Sequence, residues 1–275
     1  MTAVPLATRA KSVNLPVAVC LAILGVLVLV VLFPGMFTAQ SPSATDFLHT
    51  FEGPSFSHVF GTDQLGRDVY ARVVYGAGAS LKIAMSATVI GVLGGLVIGA
   101  LAVAGGRFAA GPLMRLVDVL LAFPEIVLAL LVVAVIGGDA GGVAIAIGMA
   151  AVPNYARLVY SQARLVVLAE YVEAARVVGA RRSVALVRHV VPNIAGPLVV
   201  LATLGTGTTI ISAAGLSLLG LGPAPPAPEW GLMIADGKDF LGIAWWLTVF
   251  PGLSVVLVVV TCTVLGRTLR VRAQR

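Results

Sequence analysis

Charge is scarce in this sequence: of 275 residues, only 11% are Asp, Glu, Lys or Arg. A soluble domain normally carries about twice that fraction to keep its surface wetted, so an ordinary soluble enzyme and a charge-rich disordered chain are both excluded. Cysteine is nearly missing. Cys20 and Cys262 each lie inside an apolar run, which excludes a disulfide framework and a thiolate metal site and leaves two small buried hydrophobes. Histidine is equally sparse: His49, His58 and His189 are scattered between segments expected on opposite sides of a membrane, so they form no single metal cluster. No Gly-x-x-x-x-Gly-Lys-Ser/Thr loop occurs, so the chain lacks the backbone cradle with which such enzymes hold ATP phosphates. Ser86, Ser212 and Ser217 stand in no evident arrangement with a His/Asp or Lys base. An intramembrane hydrolase, the enzyme alternative, therefore lacks a visible nucleophile–base pair.

Apolar sequence is abundant instead. Hydrophobic residues make up 59% of the chain and the mean hydropathy is +1.04. The apolar stretches run solid rather than alternating, which argues against a transmembrane β-barrel. A bilayer core needs about 20 apolar residues at a rise of about 1.5 Å each. Candidate spans fall at 15–37, 80–104, 113–136, 142–160, 194–221 and 243–265, predicting an all-α polytopic protein with six transmembrane helices. The first run, with Arg9 and Lys11 ahead of it, is longer than the apolar part of a signal peptide and reads as a retained anchor; cleavage near residues 38–41 is the alternative. Gly91, Gly95 and Gly99 recur at helical spacing in the second span, a stripe that lets another helix approach closely.

The basic residues orient the chain. With both termini in the cytoplasm, 14 of the 18 Lys and Arg residues lie inside, leaving Arg67, Arg72, Lys82 and Lys238 outside. The reverse orientation inverts that ratio, so the net charge of +6 is a topology signal and no sign of nucleic-acid binding. Two outer segments follow, at 38–79 and 222–242. The second is stiffened by Pro223, Pro225, Pro226 and Pro228. Trp230, Trp245 and Trp246 suit the headgroup zone, where an amphipathic ring is partly wet. Such a segment serves either as a receiving surface for a soluble partner or as a connector skimming the membrane.

Two acids interrupt the third span. Asp118 and Glu125 are seven residues apart in this span, which predicts them nearly on one helix face two turns apart. Ionisable groups at membrane depth are functional suspects, serving a proton relay, a cation site or the transport path. Arg115, three residues before Asp118, offers the simpler account of a structural salt bridge, while Glu125 after Pro124 is placed to face the path or a partner helix.

The longest inner segment is 161–193. A helix-forming run through Glu173-Ala174-Ala175-Arg176 stops at Gly179, and a second amphipathic piece after Arg181-Arg182 closes at Pro192. By composition it is either a basic loop held to anionic lipid or a docking element. The spacing of Glu173-Ala174-Ala175, Gly179 and Pro192 resembles the EAA loop of ABC-importer permeases, with His189 and Val191 where that family has Ile and Leu. The segments His58 to Val69 (through Gly61-Thr62-Asp63-Gln64-Leu65-Gly66-Arg67-Asp68), Leu116 to Pro124, Ala214 to Gly222, and Trp230-Gly231 with Ala235-Asp236-Gly237 are similar to signatures of the C-type permeases of dipeptide, oligopeptide and nickel importers. The likeness runs from about Val59 to Gly266.

The resemblance implies a type I ABC-importer permease fold in a bacterial cytoplasmic membrane. It divides the chain into an N-terminal tail, first helix and outer loop at 1–75, a core permease domain at 76–270 and a basic tail at 271–275. It further implies a second, related permease chain, two ATPase domains (separate or fused) and an external peptide-binding protein as partners. This chain then holds no cofactor, ATP and Mg²⁺ being bound by the ATPases. Glu173, Ala174, Ala175, Gly179, Arg181 and Pro192 form the ATPase-coupling site. The function implied is import of dipeptides or oligopeptides; nickel or another small solute on the same scaffold, and an ion-coupled secondary transporter built on Asp118 and Glu125, are the alternatives.

Overall fold

A computed structural model describes residues 15–167 and 190–273. Among them the helices are α1 (Leu15–Leu32), α2 (Val69–Ala104), α3 (Gly106–Leu121), α4 (Glu125–Ile136), α5 (Ala140–Val167), α6 (Val191–Leu218), α7 (Trp230–Gly237) and α8 (Trp246–Ala273). The described residues contain no strand beyond an isolated antiparallel bridge between Thr62 and Asp68. Helices α1, α2, α5, α6 and α8 are each long and apolar enough to cross a bilayer.

The third expected span is not one helix. It is broken between α3 and α4, which meet at 96°. Proline explains the break. Pro124 has no N–H to continue the ladder, its ring disfavours helical backbone at Phe123, and its own backbone is extended, with φ −57° and ψ 132°. Asp118 and Glu125 therefore lie on different helices and share no face.

Other boundaries move as well. Helix α2 begins at Val69 rather than near residue 80, so the end of the first outer segment is helical. Its 36 residues extend about 54 Å, well beyond a hydrocarbon core of about 30 Å. The second outer segment contains α7, and α8 continues to Ala273 rather than ending before a free tail.

Helix α2 against α5 forms the spine. The predicted glycine stripe lies there: Gly91 faces Ala151 and Tyr155, Gly95 faces Tyr155 and Ala156, and Gly99 faces Val159. Lipid tails are as apolar as side chains, so these helices are held by close van der Waals contact, which small residues permit. Around the spine the core falls into separate apolar clusters. Val73, Ile210, Trp230 and Trp246 pack in one apolar cluster, Ile83, Val133, Ile147 and Leu216 in a second, and Ala102, Met114, Val117 and Ala156 in a third.

Candidate functional site

At the end of the bundle that the Lys and Arg distribution predicts to be outer, residues 38–68 and 222–245 build a polar platform. In the 61–68 segment, Asp63 accepts from the backbone N–H groups of Leu65 (2.8 Å) and Arg67 (3.0 Å) and pairs with the Arg67 Nε at 2.6 Å. Gly61 and Gly66 take positive φ (75° and 70°) to close these turns, a conformation that side chains with a Cβ resist. Asp68 caps α2 by accepting from the Ala71 N–H at 2.7 Å while its other oxygen meets His58 Nδ1 at 2.9 Å. Arg72 donates to the carbonyls of Pro42 (3.2 Å) and Pro226 (3.3 Å), tying both outer segments to α2.

Glu229 sits deeper in the same platform. Its carboxylate accepts from the hydroxyls of Ser80 (2.9 Å) and Ser217 (3.0 Å) and from the N–H groups of Gly231 (2.8 Å) and Leu232 (2.7 Å). One side chain thus caps α7 and clamps α2 to α6. Sequence reasoning gave Glu229 no role; an acid ending a proline cluster just before an apolar stretch was the available signal of a helix start. The expectation for the tryptophans needs correction. Trp230 and Trp246 are buried, with indole N–H groups donating to the carbonyls of Val73 (2.9 Å) and Thr62 (3.0 Å), and Trp245 alone of the three is exposed. A buried indole needs its single donor satisfied, and a neighbouring backbone carbonyl does this without water.

Titration at this face follows its geometry. The hydrogen bond between Asp46 and His49 (2.8 Å) holds the Asp46 carboxyl below its ordinary value of 3.8 and His49 above its ordinary 6.5. Burial pushes the Asp236 carboxyl up, against the opposing pull of Arg72 and Arg67. His49 and His58 lie with ring centroids 6.4 Å apart; His189 lies outside the described residues.

A second polar region runs down α5. The exposed side of its outer half presents Ile145 and Met149, whereas that of its inner half presents Asn154, Arg157, Ser161 and Arg164. Arg157 pairs with Asp118 at 3.2 Å, and both side chains are half exposed. This replaces the expected Arg115 partner. The carboxylate reaches across to α5 because α3 lies over the inner half of that helix. Asn154 donates to Glu125 at 3.4 Å, drawing the first residue of α4 to the same stripe. Asp118 and Glu125 are brought to one surface by α5, not by a shared helix. Asn154 and Arg157 were missed because they lie 29 and 39 residues from their partners.

Of the predicted coupling residues, Glu173, Ala174, Ala175, Gly179 and Arg181 lie outside the described residues. Pro192 is the second residue of α6 and exposed, at a position where its missing N–H costs no helical hydrogen bond. A separate apolar groove of about 750 Å³ runs between α1, α2, α6 and α8, lined by residues such as Leu27, Val89, Val199 and Val258.

Comparison with known proteins agrees with this architecture. A family model described as binding-protein-dependent transport system inner membrane component matches residues 91–274. The dipeptide transport system permease protein DppC of Alkalihalophilus pseudofirmus is 38% identical, over 91% of this chain and 84% of its own length. The glutathione transport system permease protein GsiD of Escherichia coli is 40% identical, over 82% of this chain and 74% of its own length. Among solved structures, a chain of the MetNI methionine ABC transporter in an inward-facing conformation superposes with a TM-score of 0.57 at 19% identity, covering 72% of this chain and 96% of that one. At that identity the likeness shows a shared fold.

Proposed function

Because the chain belongs to the family of binding-protein-dependent transport system inner membrane components, we propose that it is one permease half of an ATP-driven importer for short peptides. The observation that carries the substrate class is its identity, across most of its length, to permeases of dipeptide and glutathione transport systems. The geometry suits that role. A charged and amide-bearing stripe along the inner half of α5 is costly against lipid. It is accommodated where a second permease chain or a water-filled path covers it, so this face lines the translocation path.

The remaining parts follow from the same reading. The polar platform at 38–68 and 222–245 faces outward and receives a peptide-loaded binding protein. The termini face the cytoplasm of a bacterial cell, as the distribution of Lys and Arg supports. ATP and Mg²⁺ are held by separate or fused ATPase domains, and this chain moves in response to them. Segment 161–193 docks on an ATPase through Glu173, Ala174, Ala175, Gly179 and Arg181, with Pro192 at the entry to α6. Closure of the ATPase pair then swings the bundle between inward-open and outward-open forms.

The test is co-purification and uptake. Gly179→Val adds a β-branched side chain at the glycine where the sequence predicts a turn, and Glu173→Lys reverses the charge of the proposed interface. Each is expected to lower ATPase recovery and peptide uptake by tenfold or so while the permease still inserts. Undiminished yield and transport in both variants would remove the coupling role. Uptake that survives ATP depletion but collapses with an uncoupler would instead identify an ion-coupled transporter.

A further inference from the structure

Asp63, Asp68 and Glu229 of the platform and Asp118 of the inner ion pair are each answered by donors close at hand. Asp63 has Arg67, Asp68 has His58 and the Ala71 N–H, Glu229 has its four donors, and Asp118 has Arg157. Glu125 differs. Among the described residues its hydrogen bonding is limited to the 3.4 Å contact from Asn154, and no cation pairs with it. Arg157, one turn further along α5, is engaged with Asp118.

Its depth makes this unusual. Asn154 is halfway along the 28 residues of α5, about 21 Å from that helix's outer end. Glu125 is therefore near the middle of the membrane layer. The break at Pro124 holds it beside the polar stripe rather than inside a continuous helix. An ionised carboxylate has about four acceptor positions, and a half-buried one is poorly served by a single long contact. Asn154, giving its amide N–H to Glu125, keeps its carbonyl oxygen as a second acceptor close by.

We propose that Glu125, oriented by Asn154, is a transit site in the permease for the α-ammonium group of the peptide. The inference rests on the reading of the α5 face as the path. A peptide crossing the membrane loses hydration around its ammonium group. A carboxylate and an amide carbonyl at mid-depth replace part of that hydration, with charge-assisted hydrogen bonds strong enough to matter and few enough to release. Glu125 thus selects for a free amino terminus inside the permease, after the binding protein has made its own selection.

The experiment uses the complete complex in proteoliposomes, with the same binding protein throughout. A labelled dipeptide is compared with its desamino analogue, both loaded at saturation. In Glu125→Gln, dipeptide delivered per ATP hydrolysed is expected to fall about tenfold, with uptake of the analogue unchanged. Glu125→Asp should recover the dipeptide to within about twofold. A merely structural glutamate would lower both cargoes together and would not be rescued by aspartate; either result overturns the proposal, as does wild-type dipeptide delivery in Glu125→Gln. If Glu125→Gln does not assemble, Asn154→Ala decides: a loss of roughly threefold confined to the dipeptide supports the site, and unchanged or parallel uptake refutes it. A wild-type complex that moves no peptide would fail at the level of the importer itself, before Glu125 is in question.

Discussion

Glu229 shows how a single buried carboxylate organises the outer end of the bundle. It is 2% exposed and joins α2, α6 and α7 through four donors. Glu229→Ala leaves two hydroxyl protons and two backbone N–H groups without their acceptor in an apolar layer, at a cost of about 3 kcal/mol or more. Thermal unfolding of the detergent-purified variant should show a clearly lowered midpoint; an unchanged midpoint would mean water satisfies these groups. The same residue marks a limit of sequence reading. Its position before α7 was legible as a helix start, but Ser80 is 149 residues away and nothing local names it as a partner. Trp230 and Trp246 have the same history: aromatic residues near a span end suit an interface by composition, and only packing decides that these two are inside.

Between elements, close approach does the work that water does in a soluble core. Gly95 abuts α5 so tightly that an added Cβ would stand 2.7 Å from the Ala156 nitrogen and 2.8 Å from the Tyr155 carbonyl carbon, with the Tyr155 Cβ closer still. Gly78, on the same helix, has open space at that position. Gly95→Ala is therefore expected to cost about 1–3 kcal/mol through overpacking. Gly78→Ala should be neutral or stabilising, since alanine is the better helix former by about 1 kcal/mol. Side-by-side thermal melts of the two variants check this, and equal midpoints would sink the assignment of the stripe. The glycine spacing was readable in advance because helical periodicity is local. The break at Pro124 was harder to place, since proline inside an apolar run is compatible with a kink, a continuous span or a full turn of direction. The cost of its missing N–H is decided by the neighbours available to satisfy the freed groups.

At the scale of the whole molecule, orientation and the polar face decide function together. The proposed cytoplasmic termini would put the 38–68 segment outside and the end of α8 inside. With Cys20 and Cys262 replaced, Ser57→Cys should react with an impermeant maleimide on intact cells, and Arg267→Cys should react only after permeabilisation; both positions are exposed. The reverse pattern would invert the importer and remove the inner loop from the reach of any ATPase. With the proposed orientation, the α5 stripe lies in the cytoplasmic half of the membrane.

Span number, helical class and the glycine seam all reside in the sequence itself, because each depends on residues a few positions apart: run length and periodicity. The partners of Asp118, Glu125 and Glu229 belong to tertiary structure alone. Each pair joins helices whose chemistry is indifferent until packing sets the distance, and a polar contact at 3 Å is worth something where at 6 Å it is not.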